Sequence, residues 1–359
     1  MLKEKIIDED IENILNVDIN WRLFWGKTIL ITGANGYVPA YFVHTFLALN
    51  DRFNSNIVVI ALCRNEEKAI KKFDKYLKRR DFILIIQDVC EPIEIDHTIH
   101  YFIHAASPAG INSRYTDPVA TFRANVMGAD NLLKLALNNP CEKFLFISSV
   151  DVYGKMENNE RLNENDCGIL DGLNVRNIYS VAKKATEALC VAYYEKFKLP
   201  IVVVRPFQIF GPGIELNDGR LHIDFISQIL NNGKIILKSD GRAKRTFLYI
   251  TDAISAMLTV MLNGTIGECY NVVDECGEAT VLDLANVMAS IVTDKNVSVE
   301  FDYTKRKNIE VTSALSVVTG CSNKIKSLGW QPILTLSEGA RRMMSYYGIN
   351  TNDGGVKHV

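Results

Sequence analysis

The chain has no run of about 18 apolar residues, so no membrane-spanning helix is expected. It has almost no charge imbalance. Forty Lys and Arg against 42 Asp and Glu leave a net charge of −2, and no basic field points to nucleic acid. None of the eight cysteines stands in a Cys-x-x-Cys pair. They are expected to be small core residues in a reducing cytoplasm. His97, His100 and His104 cluster in sequence, but their spacing fits no common zinc pattern and His104 ends an apolar run, so no metal site is expected. The first ten residues are too acidic and polar for a signal peptide. Internal repeats and low-complexity segments are missing too. What remains, 48% apolar and 23% charged, is the balance of a soluble globular protein.

The first positive signal is Lys27-Thr-Ile-Leu-Ile-Thr-Gly33-Ala-Asn-Gly36-Tyr-Val-Pro39. An apolar strand runs into a glycine turn, and a helical pattern follows. Gly33 allows the tight turn. Gly36 lets the backbone approach a pyrophosphate, which then rests on the helix N-terminus. Pro39 stands where a third glycine is usual, and proline is tolerated in a first helical turn. This is a dinucleotide-binding fingerprint in the right strand–turn–helix setting.

The second signal is Tyr179-Ser-Val-Ala-Lys183, with Ser149 thirty residues upstream. Tyr179 and Lys183, at i and i+4, share one helix face. The Lys183 ammonium favours the phenolate form of Tyr179. Such a phenol can take a proton from a sugar hydroxyl while a hydride leaves the same carbon. The Ser149 hydroxyl can hold the reacting oxygen.

Residues 7–17 carry apolar residues among acids, a short amphipathic helix. Segments 29–32, 57–62, 82–86, 101–105, 143–148 and 201–205 read as strands. They are continuous apolar runs, as in a parallel sheet covered on both faces. Helical patterns at 36–49, 65–79, 118–138 and 179–197 lie between them. The expected fold is α/β, a Rossmann doubly wound parallel sheet with a smaller, discontinuous C-terminal α/β substrate lobe. The expected divisions are an N-terminal helical arm (1–25), the dinucleotide-binding domain (26–206, with 246–272 returning to it), the substrate lobe (207–245 and 273–348) and a flexible tail (349–359). Thr335-Leu-Ser-Glu338 is a capping-box match that opens the last helix. Apolar residues on more than one face of 118–138 and 179–197, among them Leu132, Leu133, Leu135, Leu137, Leu189, Val191 and Tyr194, predict a homodimer built by these helices.

The ordered markers are Thr32-Gly-Ala-Asn-Gly36, Asp88-Val89, His104-Ala-Ala106, Asn125-Val-Met-Gly128, Ser148-Ser-Val-Asp-Val-Tyr-Gly154, Tyr179-x-x-x-Lys183, Arg205-Pro-Phe207 with Phe210-Gly-Pro-Gly213, and Leu328-Gly-Trp330. Over about residues 26–348 the chain resembles the extended short-chain dehydrogenase/reductases, in their nucleotide-sugar epimerase/dehydratase branch. The loop His104–Pro108 and the segment Asp240–Tyr249 look most like UDP-glucuronate decarboxylases.

The resemblance implies roles. Gly33, Asn35, Gly36, Tyr37 and Val38 match the pyrophosphate turn. Asp88 matches the acid on the adenine amino group, and Val89 packs on that ring. Ala105, Ala106, Ser107 and Pro206 match the cofactor's lining, and Asn125 a helix residue supporting the site. Ser149, Tyr179 and Lys183 match the catalytic trio. Arg245 matches the arginine that pairs with the substrate diphosphate. Ser107, Ser149, Gln208 and Arg220 join it as substrate contacts. Phe207 and Gln208 stand where the family usually carries Asn or His, so that contact is altered.

Asp151 discriminates between outcomes. Decarboxylases and 4,6-dehydratases carry Glu there, and a carboxylate near C5 can act as a general base on a 4-ketone. Val150 replaces the acid that a typical 4,6-dehydratase uses to protonate the leaving C6 hydroxyl. At the ribose, Cys63 takes the usual acid position and Arg64 follows. Arginine can hold a 2′-phosphate or stack on adenine, so NAD is expected and NADP stays open. The leading reading is a cytoplasmic enzyme of nucleotide-diphosphate sugars that oxidises C4 transiently and then dehydrates or decarboxylates. C4 epimerisation is the alternative within the class. A non-catalytic dinucleotide-binding scaffold is the alternative outside it.

Overall fold

The computed structural model describes residues 2–108, 116–157, 160–303 and 317–352. Seven strands form the main sheet: β1 (Thr28–Thr32), β2 (Val58–Cys63), β3 (Phe82–Ile86), β4 (Tyr101–His104), β5 (Lys143–Ile147), β6 (Ile201–Pro206) and, later in the chain, β10 (Cys269–Val272). Their order is β10-β6-β5-β4-β1-β2-β3, and every pairing is parallel. The strand order reverses between β1 and β4, which makes their carboxyl ends the place where such a sheet binds ligands.

Alternate residues of these strands feed two cores, as a side-chain period of two requires. Ile29, Ile31, Val59, Ala61, Ile103 and Leu145 face the helices Tyr37–Phe53 and Ile250–Asn263 and the N-terminal arm. Leu30, Ile60, Leu62, Phe102, Phe144 and Phe146 face Pro118–Leu137 and Ile178–Phe197. With both faces covered, β1 to β5 carry only apolar residues in their centres.

The arm is a helix, Leu2–Leu15, longer at its start than the apolar pattern predicts. Ile6, Ile11, Ile14 and Leu15 are buried. Beyond β6 lie two small sheets. In one, β9 (Lys244–Tyr249) pairs with β7 (Gln208–Phe210), β11 (Glu278–Thr280) and β13 (Val317–Val318). In the other, β8 (Lys234–Leu237) pairs in parallel with β12 (Ser298–Phe301). The segment 246–249 therefore sits in a small sheet, and the chain rejoins the main sheet through Ile250–Asn263 and β10. Trp330 is buried and donates its indole N–H to Ser255 Oγ at 3.0 Å, which fastens the last segment to that returning helix. Thr335 caps the helix Leu336–Tyr346 reciprocally with Glu338. Residues 353–359 of the expected tail, and 304–316 of the expected substrate lobe, lie outside the described residues.

Candidate active site at the carboxyl ends of the main sheet

Gly33 has φ of +64°, and a Cβ there would stand 2.8 Å from the Ala106 Cα. The turn after β1 and the end of β4 thus close on each other, and only glycine fits. Thr32 ties the two strand ends together. Its Oγ1 accepts from the Ala105 and Ala106 amides at 3.2 Å each and shares a hydrogen with His104 Nδ1 at 2.9 Å. Burial pushes the His104 pKa down to about 3, with the Lys183 charge acting the same way, so the ring is neutral. Gly36 caps the helix Tyr37–Phe53, and Pro39 is buried in its first turn. The helix N-terminus and the tight glycine crossing fit a pyrophosphate, since free N–H groups and the helix dipole both favour an anion there.

The residues expected at the adenine and ribose stand at the ends of β2 and β3. Asp88 accepts from the Cys90 amide at 2.9 Å and lies 3.9 Å from the Arg64 guanidinium, a largely exposed group. Val89 is buried, and a Cβ on Gly128 would strike its Cγ2 at 2.0 Å. That close approach explains the glycine inside the helix Pro118–Leu137. Cys63 is buried, and burial pushes its thiol up to about 11. It therefore brings no negative charge to the position where an acid is usual. Asn35 reaches back to the Asn65 carbonyl at 3.5 Å.

The residues expected to be catalytic stand where the end of β5 packs on the helix Ile178–Phe197. Ser149, Tyr179 and Lys183 are buried at 7%, 8% and 3% exposure. Lys183 Nζ donates to the Ile147 carbonyl at 2.7 Å and lies 5.9 Å from the Tyr179 ring centre. Ser149 caps the short turn Val150–Tyr153, its Oγ accepting from the Asp151 amide at 3.2 Å. The Asp151 side chain is half-buried. Asn125 donates to Ser107 Oγ at 3.0 Å and to the Thr121 carbonyl at 2.7 Å. Its own carbonyl accepts from Thr186 Oγ1 at 3.0 Å, which joins the two helices.

Of the residues expected to meet substrate, Gln208 and Arg245 share the small sheet. Gln208 pairs with Phe247 in register, two positions beyond Arg245. Burial lowers the Arg245 pKa, and the Asp151 carboxylate opposes that. Pro206 ends β6 beside Val272. Arg220 stands elsewhere. Its Nε is 3.2 Å from Asp218, and its guanidinium lies 5.6 Å from the Tyr37 ring centre, on the glycine-turn side. Phe207 is buried with Val150, Val152, Tyr153, Leu162, Val273 and Val318. The residue that departs from the family pattern is an apolar plug behind the Ser149 turn.

Glu187 was not foreseen. It accepts from Ser148 Oγ at 2.6 Å and from Arg205 at 2.9 and 2.8 Å. It sits one turn beyond Lys183, and a second charged residue on the Tyr179–Lys183 face was the available signal.

Residues 29–273 match the NAD dependent epimerase/dehydratase family. The chain belongs to that family. Among curated relatives, UDP-glucuronic acid decarboxylase 1 of Arabidopsis thaliana is 29% identical over 91% of this chain and 72% of its own length. The dTDP-D-glucose 4,6-dehydratase of Homo sapiens is 26% identical over 92% of this chain and 94% of its own. The solved UDP-glucuronic acid 4-epimerase of Bacillus cereus, in complex with UDP-glucuronic acid and NAD, superposes with a TM-score of 0.74 at 23% identity. It covers 89% of this chain and 99% of its own. That likeness shows the fold. This epimerase/dehydratase family member thus has the expected mostly parallel α/β sheet.

Proposed function

We propose that this chain, with NAD as cofactor, oxidises C4 of a nucleoside-diphosphate sugar transiently and then decarboxylates or dehydrates it. The observation that carries the reading is the buried wall of Ser149, Tyr179 and Lys183 with Asp151 two residues beyond the serine. Tyr179 takes the C4 hydroxyl proton, Ser149 holds that oxygen, and Lys183 supplies positive charge beside the phenol. Bound NAD+ would accept the C4 hydride and return it at the end. Arg245 offers a guanidinium to the diphosphate, and Asp151 handles the proton at C5. Decarboxylation is favoured over dehydration because the buried Val150 cannot protonate a leaving C6 hydroxyl. Loss of CO2 needs no acid there: the C5–C6 bond breaks and its electrons move toward the C4 ketone.

The supporting frame is the division expected above: arm, dinucleotide domain, substrate lobe. We also place the protein in the cytoplasm, in polysaccharide-precursor synthesis. No helix among the described residues is long and apolar enough to cross a membrane. Homodimerisation through the helices Pro118–Leu137 and Ile178–Phe197 is part of the proposal. Leu132 and Leu133 pack on their own sheet, whereas Phe122, Met127, Leu137, Val191 and Phe197 are exposed and offer the apolar face. Light scattering tests it.

The deciding experiment has two parts. A panel of UDP-, dTDP-, GDP- and CDP-sugars is incubated with the protein and read by mass spectrometry for loss of CO2 or water. Asp151→Asn is then run on the active substrate. An amide neither takes a proton from C5, as dehydration needs, nor delivers one to it, as decarboxylation needs, so a 4-keto sugar should accumulate with absorbance near ~340 nm from the reduced cofactor. Full activity in Asp151→Asn, with an unchanged product mass, would transfer the assignment to 4-epimerisation.

A further inference from the structure

Residues 147–149 run across one face of the helix Ile178–Phe197 like a rung-by-rung ladder. The Ile147 carbonyl takes the Lys183 ammonium at 2.7 Å. The next residue, Ser148, is 2% exposed and donates to Glu187 Oε1 at 2.6 Å. The residue after that is Ser149. Tyr179, Lys183 and Glu187 are spaced at i, i+4 and i+8, so they line one helix stripe. Two adjacent anchors therefore fix the strand end just before Ser149 leaves it. Arg205 locks Glu187 in turn, through Nε at 2.9 Å and Nη2 at 2.8 Å. Its Nη1 donates to the Glu164 carbonyl at 2.9 Å, and its guanidinium lies over the Tyr153 ring at 4.8 Å. A guanidinium fork on a carboxylate holds planar geometry that a single contact does not. Arg205 also sits just before the Pro206–Gln208 step into the substrate lobe.

We propose that Glu187 is a positioning residue, which through Ser148 sets the distance between the Ser149 hydroxyl and the Tyr179 phenol. This rests on the catalytic reading above. The network touches no substrate-facing atom, yet proton transfer is sensitive to displacements of this size: a 1 Å error can cost about 10²-fold in rate.

Glu187→Gln leaves the Arg205 charge without its counter-ion and can fail to fold, so the test uses Ser148→Ala and Glu187→Asp. Ser148→Ala keeps the Glu187–Arg205 pair and removes only the link to the strand. Expected is a kcat fall of roughly tenfold or more, with KM and NAD affinity near wild type and an unchanged melting temperature. Ser148→Thr, which restores a hydroxyl, should recover most of the loss. Glu187→Asp, one methylene shorter, should lower kcat in the same way. A wild-type kcat in Ser148→Ala would overturn the proposal. A crystal structure of Ser148→Ala judges it independently of turnover: Ser149 Oγ should move by about 0.5 Å or more relative to the Tyr179 oxygen, on the scale that active-site placement tolerates. An unmoved Ser149 refutes the positioning role. Failure of wild-type protein to act on any nucleotide sugar refutes the catalytic reading instead.

Discussion

Glu187 and Asp10 are both carboxylates gripped by a guanidinium inside the protein, at 8% and 0% exposure. Glu187 stands behind the catalytic wall and binds Ser148 and Arg205. Asp10 stands on the arm and accepts from Tyr41 at 3.2 Å, from Tyr249 at 3.0 Å and from Arg342 Nε at 2.8 Å. Every partner of Glu187 lies within the family-matched residues 29–273, while Asp10 and Arg342 both lie outside them. The Asp10 cluster joins four pieces of chain: the arm, the helix Tyr37–Phe53, the end of β9 and the last helix. One chemical unit thus serves two ends. Near Tyr179 it orders the groups proposed to react, and at the arm it ties distant pieces of chain together. The difference should appear as a split between activity and stability.

The largest effect belongs to the chemical side. Tyr179→Phe should lower turnover by ~10²–10⁴-fold, the usual contribution of a general acid–base group. The unfolding midpoint and NAD affinity should stay near wild type, and steady-state kinetics with calorimetry reads both. Near-normal turnover would remove Tyr179 from the chemistry.

At the other carboxylate the signature should invert. Arg342→Met leaves Asp10 buried with two tyrosine hydroxyls and no cation. Removing one partner of a buried ion pair costs about 3–5 kcal/mol. A urea titration should show that loss, while turnover per folded molecule stays within about twofold, since no reacting group is lost. A large fall in turnover at unchanged stability would mean that the arm steers the active site.

Arg245→Ala probes the boundary between the two regions, because Arg245 shares strand β9 with the clamp residue Tyr249. Losing a charge-assisted contact to a phosphate should weaken sugar-nucleotide binding by about 1.5–3 kcal/mol and leave NAD binding unchanged. Calorimetric titration with each ligand separates these, and equal losses would place Arg245 outside the sugar-nucleotide site.

The same contrast explains what could be read before the fold was known. The main-sheet strands were legible because burial on both faces makes them unbroken apolar runs. The strands β7, β11 and β13 are two or three residues long, too short for any periodicity. The glycine turn and the Tyr–Lys pair were legible because their geometry demands particular residue types. Glu187 and Asp10 were not, since a helical acid ordinarily faces water. Yet Ile6, Asp10 and Ile14 share one i, i+4 stripe, and both isoleucines are buried. An acid inside an apolar stripe carries the same message as the second charge on the Tyr179–Lys183 face. The place of Arg220 was not legible either, because sequence order puts it in the substrate lobe, whereas its guanidinium lies 5.6 Å from the Tyr37 ring centre.

The smallest effect concerns pH, and it lets the scaffold be weighed one group at a time. Burial pushes the pKa values of His44, His104 and His222 down to about 3. Each ring is neutral in the folded protein and takes up a proton near pH 6.5 when the chain unfolds. Below that value the unfolded state binds more protons, so each histidine withdraws stability as pH falls toward 3. By pH 5 the withdrawal amounts to about 2 kcal/mol per histidine, from 1.36 kcal/mol per pH unit. Asp252 tilts the other way, because burial pushes its carboxyl up to about 7. The folded state then holds a proton that the unfolded state has released, and stability falls as pH rises from about 4 to 7. The total pH profile therefore mixes opposing slopes, but a variant isolates one of them. His222 lies against the Phe210 ring, 6.2 Å between centres, and phenylalanine there keeps a flat ring whose larger size adds a packing cost that is the same at both pH values. His222→Phe should lose the slope of one histidine, gaining about 2 kcal/mol over wild type between pH 7 and pH 5, with no change in catalytic pH dependence. Urea unfolding at the two pH values reads the gain directly. An unchanged difference between them would show that His222 is already exposed to protons in the folded state.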